Sequence, residues 1–149
     1  MNIKINVNSP NVGIHIRRGD MLLQRRLREG FEAMPSSYFR HAMDYFTSRH
    51  ERVLFYVASI DMEWTRTWVR GDHVIYTEQT FDRDFAILMS CDHVITSIGT
   101  FSWWVGWLTK GTTIYYGVTP AEGTKAASAY RPDKIYPPDS KYQNWRPVI

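Results

Sequence analysis

One cysteine, Cys91, stands in 149 residues. A lone thiol excludes an intrachain disulfide and any thiolate metal cluster. It falls within an apolar run, so it reads as a core residue and not a nucleophile. Neither the GxGxxG fingerprint nor the P-loop pattern occurs, and nothing in the sequence supports NAD or FAD. His41, His50, His73 and His93 lack a metal-ligand spacing such as HExxH and read as structural or surface residues. No apolar run is long enough for a transmembrane helix, and Met1-Asn2-Ile3-Lys4 does not open a signal peptide. Asn8-Ser9-Pro10 does not fit a glycosylation acceptor. Internal repeats and low-complexity tracts are absent.

Charge of one sign is also scarce. The net charge is +3, spread along the chain apart from Arg25, Arg26 and Arg28. No nucleic-acid module is present, and those three arginines read as a solvated face. The small excess suits an acidic small ligand as well as RNA. What the chain has in quantity is apolar and aromatic character: 44% hydrophobic residues, with six Trp and nine Tyr. A chain of this size buries roughly two-thirds of its unfolded surface in one domain. Most of the aromatics fill that core, and some suit a ligand cleft or an interface.

Strand-like and helix-like patterns alternate, which predicts an α/β fold with a parallel sheet and flanking helices. Strands are predicted at Val12–Arg17, Arg52–Ala58, His73–Tyr76, His93–Thr96 and Thr112–Tyr116. Helices are predicted from Pro35-Ser36-Ser37 to about Arg49, and over Met62–Val69, Asp82–Met89 and Phe101–Leu108. Residues 21–34 read as a loop or frayed helix, and 117–149 as a loop-rich extension with a short terminal segment. The whole, 1–149, reads as a single Rossmann-like domain.

Two motifs carry chemistry. The first is His15-Ile16-Arg17-Arg18-Gly19-Asp20, at the end of the first strand. Ligands in open α/β sheets sit beyond the carboxyl ends of strands, and arginine presents a fixed fork of donors that matches phosphate. Alternation along a strand puts His15 and Arg17 on one face and Arg18 on the other, where Arg18 suits a role in local structure. The bland alternative is a strand end with a structural Arg–Asp pair. Arg18-Gly19-Asp20 also matches an adhesion tripeptide, which would need an exposed flexible loop.

The second motif is Ser97-Ile98-Gly99-Thr100-Phe101-Ser102-Trp103-Trp104, between a strand and a helix. Unpaired N–H groups at a helix N-terminus attract phosphates. Gly99 lets a ligand approach the backbone, and Ser97 and Thr100 add hydroxyls, although Thr100 could be a plain N-cap. Asp82-Arg83-Asp84 matches a metal–diphosphate DxD pattern, but acids in a first helical turn are favoured for capping alone. Asp84 could instead reach a base or ribose.

These motifs, in this order and about eighty residues apart, resemble those of the α1,2-fucosyltransferases of glycosyltransferase family 11. The likeness runs through Val12–Asp20, Asp84–Trp104 and Gly111–Tyr116, and includes Tyr136-Pro137-Pro138. HxRRxD is shared with α1,6- and protein O-fucosyltransferases, and Gly99-Thr100-Phe101-Ser102-Trp103-Trp104 points to the α1,2 group. The resemblance implies a GT-B fold, of which this chain would be the donor-binding carboxyl-terminal half, without the amino-terminal half. It implies GDP-fucose as donor substrate, no further cofactor, no metal, inversion at the anomeric carbon and a galactose-terminated glycan as acceptor.

By the same resemblance Arg17 neutralises the leaving diphosphate and Asp20 orients Arg17 or sits near the acceptor. These two form the catalytic pair. His15 and Asp84 would contact the nucleoside, and Thr100 with Ser97, Gly99, Phe101 and Ser102 the phosphates. Arg18 is counted with this donor-binding group. Animal members imply the lumenal side of the Golgi membrane, through an anchor outside this chain, and bacterial members the cytoplasm. Two other functions fit the residues less closely: a catalytically silent nucleotide-sugar-binding domain, and a basic interaction module whose polyanion binding would depend on salt.

Overall fold

The computed structural model describes residues 9–136 and 144–149. Pro137 and Pro138, Met1–Lys4 and Asn8 lie outside them. Six strands form one sheet: β1 (Asn11–Ile16), β2 (Leu54–Ser59), β3 (Val74–Tyr76), β4 (His93–Ile95), β5 (Thr112–Tyr116) and β6 (Asn144–Val148). Their order is β3-β2-β1-β4-β5-β6, and every pairing is parallel. This is the Rossmann order, in which the chain runs outward from β1 to one edge and then returns to build the other side from β4.

Seven helices accompany the strands among the described residues: α1 (Gln24–Arg28), α2 (Ser36–Thr47), α3 (Met62–Trp68), α4 (Phe81–Met89), α5 (Thr100–Leu108), α6 (Lys125–Ala129) and α7 (Pro132–Ile135). The α/β expectation and the five predicted strands hold, with ends shifted by a residue or two. The region 21–34 resolves into the end of a 3-10 turn over Gly19–Leu22, then α1 and a loop. The extension holds more structure than expected. It contains α6, α7 and a sixth strand. Asn144-Trp145-Arg146-Pro147-Val148 carries a proline and shows little apolar alternation. Proline is tolerated only because β6 is an edge strand, and the same proline hides the strand from pattern reading.

Both faces of the sheet are covered, as parallel sheets require. Val12, Ile14 and Ile16 of β1 join Phe55 and Val57 of β2 in a core closed by Tyr38, Phe39, Ala42 and Phe46 of α2. These α2 positions recur at helical spacing, so a single stripe is buried. The second core is smaller. Ala58, Leu88, Val94 and Val105 pack with Phe85 and Phe101, under α4 and α5. Cys91 is buried here beside α4, and burial pushes its thiol up to about 12. It is therefore inert at physiological pH.

One buried phenol on α2 fastens that helix to the β4 and β5 strands. Tyr38 Oη donates to the Thr96 carbonyl at 2.6 Å and lies 3.3 Å from that of Ile114. Those carbonyls end β4 and reach β5, so α2 ties down the strand ends that lead into the second motif. Tyr38→Phe removes the donor and leaves a buried carbonyl short of a partner. It should destabilise the domain by about 1–2 kcal/mol, read as a lower midpoint in urea unfolding at an unchanged slope.

Candidate functional site

The sheet order places the site. β1 and β4 are neighbours, and the chain leaves them on opposite sides, so a crevice opens at their carboxyl ends. Both sequence motifs empty into that crevice. Register pairs Ile14 with Ile95, which carries His15 and Arg17 up one wall and Ser97 to Thr100 up the other.

The motifs are joined by hydrogen bonds across 80 residues and more of sequence. The Arg17 N–H donates to Ser97 Oγ at 3.0 Å. His15 Nδ1 lies 2.6 Å from Ser102 Oγ, and Ser102 Oγ accepts the Ser97 N–H at 3.0 Å. The His15 ring also rests against Phe101, with centroids 4.4 Å apart. Phe81 and Phe85 of α4 complete the aromatic group around Phe101.

Arg17 is held in a fork. Its Nε donates to Asp20 Oδ1 at 3.0 Å and one terminal nitrogen to Asp20 Oδ2 at 2.6 Å. Asp20 therefore orients Arg17, and those hydrogen bonds hold its carboxyl below the usual range. The other terminal nitrogen, Nη1, lies over Gly99 at the start of α5. A Cβ on Gly99 would sit 2.2 Å from Nη1, and Gly99 has φ +103°, a conformation glycine alone adopts readily. Gly99 is thus required twice, for the turn and for the approach of the guanidinium. It caps α5 without a side-chain hydrogen bond, which leaves first-turn N–H groups available beside Nη1. A guanidinium and a helix N-terminus facing one space have the charge and donors to hold an anion.

Thr100 is exposed at this mouth, and Ser97 lines a cavity of about 740 Å³ together with Gly99, Thr100 and Trp103. That volume is typical of a small-molecule site. Its other walls come from Phe31 and Met34, from Tyr116 and the residues after β5, and from Tyr130, Lys134 and Tyr136 near α6 and α7. None of these was predicted as a site residue, although Tyr116 and Tyr136 fall in segments that carry the family resemblance. The signal available was the density of tyrosine and tryptophan, which looks the same in a core. Tyr136 stacks on Tyr115 with centroids 3.9 Å apart, and Trp103 Nε1 donates to the Ile135 carbonyl at 2.7 Å.

Not every predicted residue arrives. Arg18 points away from this group: its Nε donates to Asp61 at 3.2 Å and its guanidinium lies 4.1 Å from the Trp64 ring centre. It fastens β1 to α3, on the face opposite His15 and Arg17, and does not join the donor-binding group. Phe101 and Ser102 face His15 instead of the open anion site. Asp84 stands in the first turn of α4, which packs on β1, β2 and α5. One of its carboxylate oxygens is buried without a hydrogen-bond partner among the described residues. Among the described residues no group of three or more His, Cys, Asp or Glu could hold a metal. His93 Nδ1 accepts the Thr112 N–H at 2.8 Å, a structural role.

Burial among these neighbours, aided by the Arg17 charge, lowers the His15 pKa from 6.5 to about 4. The imidazole is neutral at physiological pH.

The Rossmann-ordered sheet sets a guanidinium beside the α5 N-terminus at its switch point, and the same turn, Ser97 to Thr100, forms part of the wall of the cavity. The chain belongs to glycosyl transferase family 11, whose family model matches residues 1–138. It is 36% identical over 134 residues to galactoside alpha-(1,2)-fucosyltransferase 1 of Ateles belzebuth, covering 86% of this chain and 37% of that protein. The human protein of the same name is 35% identical over 134 residues, and that of Saimiri sciureus 36% over 135, with the same shares of each chain. The chain thus spans 37% of the length of these curated relatives. No solved structure matches it. No described helix is long and apolar enough to cross a membrane.

Two outcomes follow from this geometry. Gly99→Ala forces a strained φ and pushes Nη1 aside, so binding of a nucleoside diphosphate should weaken at least about tenfold, measured by calorimetry on protein that still melts cooperatively. His15 stays neutral in the folded state down to about pH 4 but protonates near 6.5 when unfolded. The unfolded chain then binds more protons between those values, and stability falls as pH drops through that window. The loss should approach about 3 kcal/mol below pH 4 and be absent in His15→Asn, read as the difference between the two proteins' stability–pH curves.

Proposed function

We propose that this chain forms the GDP-fucose-binding part of a galactoside α1,2-fucosyltransferase, transferring fucose to the terminal galactose of a glycan with inversion and without a metal. The observation that carries this is Arg17 Nη1 set over Gly99 at the bare start of α5. A diphosphate seated there meets a permanent cation and a helix N-terminus together. It is supported by family membership and by the names of the relatives.

In the reaction proposed, the acceptor hydroxyl oxygen attacks the anomeric carbon on the face opposite the diphosphate. The new carbon–oxygen bond forms as the bond to phosphate breaks, and GDP leaves with the electron pair. The hydroxyl proton passes to a base or to solvent. Charge grows on the departing phosphate oxygens, and Arg17 with the α5 N–H groups is aimed at that charge before it appears. Asp20 keeps the guanidinium oriented, so little reorganisation is needed as bonds break. His15 offers a neutral hydrogen-bonding group to the nucleoside. The donor's diphosphate, the glycan acceptor and a Golgi setting, reached through an anchor outside this chain, belong to the same proposal.

Titration of the purified chain with GDP and GDP-fucose in EDTA, against ADP and UDP, tests the donor assignment. Guanine-selective binding that survives EDTA is expected. Arg17→Ala should weaken GDP at least about tenfold by removing a charged hydrogen-bonding partner while leaving circular dichroism unchanged. Equal affinity for all three nucleotides, or wild-type affinity in Arg17→Ala, would overturn it.

A further inference from the structure

We infer that Ser102 is a positioning residue that fixes His15 as the Nε2–H tautomer, making the imidazole an obligatory hydrogen-bond donor to the bound ligand. The tautomer follows from counting protons in one small buried group. Ser97 and Ser102 are both buried, 4% and 1% exposed. Backbone N–H groups only donate. The Ser97 N–H gives its proton to Ser102 Oγ at 3.0 Å, and the Arg17 N–H gives its own to Ser97 Oγ at 3.0 Å. Two hydroxyl protons then need acceptors.

Inside the group the remaining contacts are His15 Nδ1 to Ser102 Oγ at 2.6 Å, Nδ1 to Ser97 Oγ at 3.4 Å, and Oγ to Oγ at 3.3 Å. If Nδ1 is bare, the Ser102 proton goes to it over the 2.6 Å contact, and the Ser97 proton goes to Ser102 Oγ or to Nδ1. Every proton has an acceptor. If Nδ1 carries the proton, it occupies Ser102 Oγ, the Ser102 proton turns to Ser97, and the Ser97 proton has no acceptor within the group. An unsatisfied buried hydroxyl is costly, so the first arrangement wins. The shift of the His15 pKa removes the doubly protonated ring from the count.

Nε2 then carries the proton, and it has no protein partner among the described residues. Its role toward a ligand rests on the donor-site assignment above, whereas the tautomer itself does not. Ser102 accordingly acts through His15. Its hydroxyl is consumed inside the protein, so it is not a phosphate contact.

Nitrogen-15 spectra of the histidine-labelled chain, without ligand, test the tautomer directly. A pyridine-like Nδ1 and a pyrrole-like Nε2 are expected for His15. The reverse pattern overturns the assignment whether or not any variant folds. Ser102→Ala should redistribute the two tautomers and weaken GDP about tenfold, the order expected for loss of a well-placed hydrogen bond. Ser97→Ala leaves the 2.6 Å contact in place and should keep the wild-type tautomer. An unchanged His15 spectrum in Ser102→Ala, or a changed spectrum with wild-type GDP affinity, sinks the positioning role. If the wild-type chain shows the expected tautomer but ignores GDP, the nucleotide assignment fails instead.

Discussion

Pairing of β1 with β4 is the constraint on which the site depends. It joins two strands that lie about eighty residues apart and sets their carboxyl ends side by side. Neither motif is a site alone. His15 and Arg17 without the Ser97–Ser102 turn are a charged strand end. The turn without Arg17 is a capped helix. Hydrogen bonds between the motifs then replace the solvent each would otherwise need, so the pairing that builds the sheet also orders the chemistry.

Polar groups at the crevice divide into two tasks. Ser97, Ser102 and Asp20 spend their hydrogen bonds on the protein and hold His15 and Arg17 in one orientation. Among the described residues Arg17 Nη1 and the first N–H groups of α5 are left over. Catalysis by charge stabilisation gains most when its dipoles are oriented in advance. The inward-facing serines are what make that orientation cheap to keep. The lowered pKa of His15 belongs to the same arrangement: a second positive charge in the group would compete with Arg17 and lack solvation.

Much of this was legible in the sequence. Apolar runs and the α2 stripe gave the alternating strands and helices. The types and order of residues in the two motifs marked the segments that meet, because arginine, glycine and a helix start have fixed physical uses. Arg18 was harder: HxRRxD offers two arginines, and only strand alternation together with Asp61 and Trp64 decides which one faces the α5 N-terminus. The cavity walls were not legible, since Tyr116, Tyr130 and Tyr136 come from separate segments whose convergence depends on the tertiary fold. β6 was hidden by its proline and polar residues. Ser102 was legible as polar but not as inward-facing, because which face of a helix meets a neighbouring strand is decided by packing and not by composition.

The solitary thiol has a practical meaning. Cys91 follows the carboxyl end of α4, the helix that brings Phe85 against Phe101, and its Sγ–H donates to the Ile87 carbonyl at 3.4 Å. Alkylating reagents reach such a sulfur only when the surrounding segment opens. With no other cysteine to confuse the signal, the rate of labelling becomes a clock for the opening of the carboxyl end of α4, and no engineered label is required to read it.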